Sequence, residues 1–295
     1  ATTEIYTLSL HDALPIFSAF LQIIFYFLLK KTLNLFNISS DSRTLVLCSI
    51  VLFNFGLFNT FLNGLETSLY LVMIVIFINT LVSVIDKKMS NVYLGIVIGL
   101  TVLARVDFIL IISAFMLVLL FLKKINLRSL ITVGSIAFII SLPWFIYVYQ
   151  ITDSIIPSSG TAQSSVPQSL SSVIYRINVM FFSILDHSVP WIFASNILLS
   201  NLATLVVAIF STIYIIKKRI YEVLKFDKNE ILFYYLFSII PAIIVYVIFF
   251  HSTYFYYRYT VPVVPVFLIT VTLIISIIIN SNKNLLRTYL AISFI

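Results

Sequence analysis

Charge is the scarcest property of this sequence. Only 10% of its 295 residues are charged and 61% are hydrophobic, with a mean hydropathy of +1.12. Soluble domains carry about 25% charged residues, so these side chains are too few to cover a soluble surface. Cysteine is nearly absent. Cys48 stands alone inside an apolar run, which excludes an intrachain disulfide and a thiol metal site. There is no Walker A loop, HExxH, GxSxG or cysteine–histidine metal spacing, so the sequence identifies no cofactor and leaves a divalent metal open. Short segments alternating apolar and polar residues, the mark of a transmembrane β-barrel, are lacking too.

What the chain has is a series of long apolar runs. A bilayer core of about 30 Å needs roughly 20 apolar residues per helix. Runs read as spans fall at 17–29, 45–62, 68–85, 91–104, 108–122, 129–149, 192–216, 231–250 and 260–280, and another starts near 288. The expected fold is an all-α polytopic transmembrane helical bundle of about nine complete spans plus a partial one. Its single membrane domain covers 17–295. The opening ATTEIYTLSLHDALPIF resembles translated adapter sequence, so residues 1–16 are set aside, and the expectation is of a fragment truncated at both ends.

The formal charge of +7 is explained by topology, with no nucleic-acid partner needed. Alternating the spans places Lys30, Lys31, Arg43, Lys87, Lys88, Lys123, Lys124, Arg128, Lys217, Lys218, Arg219, Lys225, Lys228, Lys283 and Arg287 on one side. The opposite side keeps only Arg105, Arg176 and Arg258. Positive charge collects in cytoplasmic loops, so these three arginines are expected on the outer face of a bacterial cytoplasmic membrane. The residue bias toward Ile, Phe, Asn and Lys fits an AT-rich bacterial genome.

Chemistry is sought among the outer-face polar residues. Asn59, Asn63, Glu66 and Tyr70 recur at spacings that share one helical face if the helix passes Gly64, although Gly64 equally permits a bend. Glu66 is therefore either a cavity carboxylate or a solvated residue at a span end. Arg105 and Asp107 flank a turn between two short spans, where both side chains can reach one polar space. Arginine presents a planar fork suited to phosphate or carboxylate, so the pair reads as an anion site, a structural ion pair, or both. In HSTYFYYRYTVPVVP, His251, Tyr254 and Arg258 fall at i, i+3 and i+7, and an interface belt accounts for the tyrosines but less well for Arg258. Asp186 and His187 form a weaker acid–base candidate, beside a bland reading as solvated loop. The outer segment from Gln150 to Pro190 opens with a polar Pro, Gly and Ser stretch, and 169–186 then mixes apolar and polar residues as a helix lying in the interface plane does.

Several of these stretches together resemble bacterial GT-C class polytopic membrane glycosyltransferases, the mannosyl- and arabinofuranosyltransferase-like enzymes that use polyprenyl-phosphate sugars. Asn63-Gly64-Leu65-Glu66-Thr67 is similar to that family's SGLET segment, and Gly99-Leu100-Thr101-Val102-Leu103-Ala104-Arg105-Val106-Asp107 to GLxxLxRPEG. Leu142-Pro143-Trp144 matches LPW, Ile155-Ile156-Pro157-Ser158-Ser159 resembles LLPNS, and Arg258-Tyr259-Thr260-Val261-Pro262-Val263-Val264-Pro265 matches RYxxPxxP. The family's Pro-Glu-Gly is replaced by Val106-Asp107-Phe108, which keeps an acid and loses the rigid turn.

The resemblance implies transfer of a sugar from a polyprenyl-phosphate donor to an acceptor at the extracytoplasmic face, with the bilayer as the other partner. It implies that Arg105 and Arg258 hold the lipid phosphate, that Glu66 and Asp107 orient them or meet sugar hydroxyls, and that Asn63 and Tyr259 belong to the same site. Asn59, Asp186, His187 and His251 are weaker members. The family's catalytic aspartate lies in the first outer loop, so the general base is expected upstream of residue 17. The rival expectations are a lipid-linked saccharide flippase or polysaccharide transporter, and another membrane-embedded cell-envelope enzyme.

Overall fold

A computed structural model describes residues 2–36, 41–62, 65–153, 170–186, 229–249, 259–269 and 271–272, and every regular element among them is helical. The helices are α1 (Thr2–Leu35), α2 (Asp41–Phe53), α3 (Phe55–Leu62), α4 (Leu65–Ile85), α5 (Asn91–Ala104), α6 (Phe108–Phe121), α7 (Leu127–Thr152), α8 (Leu170–Asp186) and α9 (Asn229–Phe249). A 3₁₀ turn, Val261–Val263, interrupts the helical stretch 259–269. Among the described residues three helices are long and apolar enough to cross a membrane: Ile16–Leu35, Glu66–Ile85 and Leu127–Thr152. A bent pair, Arg43–Leu52 with Gly56–Leu62, makes up to four. Composition and helix length agree on a helical membrane protein. The expected spans at 192–216 and near 288 lie outside the described residues.

The described residues form two compact units, one drawn from Ala1–Val75, Ile184–Asp227 and Val264–Ile295, the other from Ile76–Ser183 and Lys228–Val263. In the first, α1 packs on α2 and α3 through Phe25, Leu29, Leu33, Leu47, Ile50 and Phe61, all fully buried. The rings of Phe25 and Phe61 meet edge to face at 5.5 Å. The run expected as one span over 45–62 is broken by a 55° bend. Asn54 explains the break: its Oδ1 accepts from Leu57 N–H at 2.6 Å and so caps α3. Helix ends leave carbonyls without intrahelical partners. Here Gln22 Nε2 donates to Val51 O at 2.6 Å, and Ser68 Oγ donates to Phe61 O at 2.7 Å. Because Asn54 is buried, Asn54→Ala is expected to cost about 1–2 kcal/mol, read as a lowered midpoint of unfolding in detergent.

In the second unit α5 lies directly on α7. A Cβ placed on Gly95 would sit 2.8 Å from Ile136 Cβ, and one on Gly99 would sit 2.8 Å from Ile140 Cβ. Pairing 95 with 136 and 99 with 140 requires the two helices to run parallel. The bond from Asn91 Nδ2 to Ser129 Oγ, 2.9 Å, fixes the same register at their starts. Small residues four apart let helix backbones approach in this way.

On α6, Phe108 and Phe115 meet Phe77, and Phe115 meets Tyr235 of α9 at 5.4 Å. Tyr235 pairs with Phe115 while Tyr246 pairs with Asp107, so α9 runs antiparallel to α6. The turns holding Lys87–Lys88 and Lys123–Lys124 therefore share one end of this group, and Arg105 and Asp107 take the other. Both lysine turns are built alike. Lys87 and Lys123 take left-handed φ values of 58° and 56°, and the next N–H returns to Ser83 O or Leu119 O. Cations at helix C-termini also complement the macrodipole.

Candidate functional site

The Arg105–Asp107 turn closes α5 and opens α6. Arg105 leaves the helix in extended conformation, φ −154° and ψ 119°, while its N–H still bonds Thr101 O. Asp107 occupies the N-cap position of α6 without capping it. Its carboxylate turns to Arg105, accepting from Nε at 3.0 Å on Oδ1 and from Nη2 at 2.9 Å on Oδ2. Tyr246 OH donates to Oδ2 as well, at 2.9 Å. The Tyr246 ring stacks on Tyr259 at 4.2 Å and 17°, and the guanidinium carbon of Arg105 lies 5.5 Å from the Tyr259 ring. Arg105 is 8% exposed and Asp107 21%, so the fork-to-fork pair is largely removed from solvent.

This arrangement has two chemical consequences. It fixes an arginine in one orientation, using the Nε–Nη2 edge of its fork and the face of an aromatic ring. It also sets the Asp107 charge against that of Arg105, so the cluster ties the ends of α5, α6 and α9 together. Tyr246→Phe removes one hydrogen bond to a charged acceptor and keeps the ring stack. The expected loss is about 1.5–3 kcal/mol, measured by equilibrium unfolding.

Other predicted residues are placed less closely. Asn59 is exposed on α3, and Glu66 is exposed in the first turn of α4, where a carboxylate is favoured by the helix dipole. Tyr70, one turn beyond Glu66, is buried. The two therefore do not share an environment, and the described helices stop on either side of Asn63 and Gly64. Asp186 is the last residue of α8. Asn63, His187, His251 and Arg258 lie outside the described residues. Among the described residues no three His, Cys, Asp or Glu side chains gather as a metal group.

An apolar groove of about 1070 Å³ runs between α5, α6 and α7, lined by residues including Val102, Ile109, Met116, Phe138 and Phe145. It does not contain the ion pair. Ile112 and Met116 of α6 face the groove, whereas Phe115 and Asp107 face α9. Sequence reasoning missed Tyr246, hidden in the apolar run 231–250, which carries no charge. The available signal was the hydroxyl itself, since a tyrosine buried in an apolar helix usually finds a partner. No protein-family profile, curated protein or solved structure matches the chain.

Proposed function

We propose that this chain is part of a GT-C-like membrane glycosyltransferase, a multi-pass protein of the bacterial cytoplasmic membrane with about nine spans. It transfers a sugar from a polyprenyl-phosphate donor to an acceptor at the extracytoplasmic face. One observation carries the reading: two stretches of the resemblance, far apart in sequence, meet in one cluster. Arg105 of the α5–α6 turn lies 5.5 Å from the ring of Tyr259, the residue that follows Arg258 in the RYxxPxxP-like segment. The disposition of charge also supports it, since Arg105 sits at the end of its helix group opposite the lysine turns, as the charge alternation requires.

In this reading Arg105 and Arg258 bind the lipid phosphate leaving group, Asp107 and Tyr246 hold Arg105 in position, and Asn63 and Glu66 meet sugar hydroxyls. The test is transfer of labelled sugar from a polyprenyl-phosphate sugar by the full-length protein in vesicles. Arg258→Ala is expected to lower transfer by about 10²-fold. An unchanged rate removes the phosphate-binding role. Movement of the labelled lipid across the bilayer without transfer assigns the chain to the flippase class instead.

A further inference from the structure

The helix α8 turns its one cation inward. Arg176, at its middle, is 2% exposed, whereas Ile174, Tyr175 and Ile177 around it are 52%, 59% and 51% exposed. Arg176 Nη1 donates to Val247 O at 2.6 Å, and Nη2 lies 3.5 Å from Ser172 Oγ, one helical turn back. Val247 is in the last turn of α9, where carbonyls lack intrahelical partners and the helix dipole is negative. The Arg176 side of α8 is thereby fastened to a helix end, and the outward side carries an apolar row, Ile174 and Ile177, along one edge and exposed Ser171, Tyr175 and Asn178 along the other, the division an interface helix needs.

The depth of that fastening decides what the row faces. Val247 follows Tyr246, which bonds the Arg105–Asp107 turn, so the middle of α8 lies at the Arg105 end of the α5–α6–α7–α9 group. A 17-residue helix is about 25 Å long, so an upright α8 would carry roughly half its length past that end. The helices α5 and α6, at 14 residues each, rise only about 21 Å against a hydrocarbon core of about 30 Å. A helix about 10 Å thick lying flat over their ends fills the difference. The same unit already calls for lipid, because the apolar span of α7 is only 17% buried.

We infer that α8 lies in the plane of the outer bilayer interface, clipped to α9 through Arg176, with Ile174, Tyr175 and Ile177 inserted at the phospholipid headgroup–acyl boundary. The inference stands apart from the reaction the protein performs. It is tested in the full chain carrying Cys48→Ala, with single cysteines at 174, 177 or 138 labelled by an environment-sensitive fluorophore. The protein is reconstituted in phosphatidylethanolamine–phosphatidylglycerol vesicles. Labels at 174 and 177 are expected to show blue-shifted emission and no loss of intensity with iodide. A nitroxide near the lipid headgroup should quench them more than one at the chain end, and a label at Phe138, mid-way along α7, should give the reverse order. Iodide quenching at 174 and 177 would place the row in water and overturn the inference. So would insensitivity to both quenchers, which means a protein partner covers it, or stronger quenching by the deep nitroxide, which means α8 spans.

Discussion

Asp107→Ala is expected to destabilise the protein by about 3–5 kcal/mol, more than most single truncations. The cost does not come from the aspartate's own packing. Arg105 is 8% exposed, and removing its bidentate partner leaves a guanidinium largely buried beside an aromatic ring with its main counter-charge gone. Arg105→Ala exposes the converse problem at Asp107, which keeps only the Tyr246 hydroxyl from this cluster. Replacing both, as Arg105→Met with Asp107→Leu, removes the two charges together and should cost less than either single change. A coupling of about 1–3 kcal/mol is expected from the double-mutant cycle, measured by equilibrium unfolding in mixed micelles. Additive losses would mean that the two side chains do not act as a pair.

Gly99→Leu should be the most damaging apolar substitution in the second unit. Its Cβ would come within 2.8 Å of Ile140 Cβ and 3.0 Å of Ala137 O. Ile140 is β-branched and held at χ1, and the other obstacle is backbone, so neither yields by a rotamer change. The helices must part, at about 3 kcal/mol or more for a side chain of that size. Gly134, on the partner helix α7, is the internal control, with nothing within 4 Å of an added Cβ. Gly134→Ala should stabilise by up to about 1 kcal/mol through helix propensity and the unfolded chain. Equal losses at 99 and 134 would show that glycine at Gly99 is not there for close approach.

The helices that sequence reasoning placed well are those bounded by unmistakable charge. The expected 91–104 and 108–122 are found as Asn91–Ala104 and Phe108–Phe121, because Lys87–Lys88, Arg105–Asp107 and Lys123–Lys124 punctuate the apolar runs. The helix expected over 169–186 is found as Leu170–Asp186. Where a single neutral polar residue sets the boundary, periodicity fails. Asn54 splits the 45–62 run because its side chain caps α3, which an apolar-length criterion does not register. The opening stretch set aside before residue 17 is continuous with α1, which starts at Thr2.

For the site, an ion pair between Arg105 and Asp107 was legible from charge and spacing. Its attachment to Tyr246 was not, since that contact joins residues 139 positions apart and depends on the antiparallel packing of α9 against α6. The close approach at Gly95 and Gly99 is also a pairwise property, visible only once α7 is in place.

The central claim is that the Arg105–Asp107 turn serves a reaction at the outer face as well as holding helices together. The most direct measurement is sugar transfer from labelled polyprenyl-phosphate sugar in vesicles, comparing the full-length protein with its Arg105→Met/Asp107→Leu form, after both are shown to unfold at similar denaturant. The account predicts that the unaltered full-length protein transfers sugar and that the apolar pair, though folded, loses about 10²-fold or more in rate. Transfer at an unchanged rate by the apolar pair would contradict it and leave the cluster as a structural clamp alone.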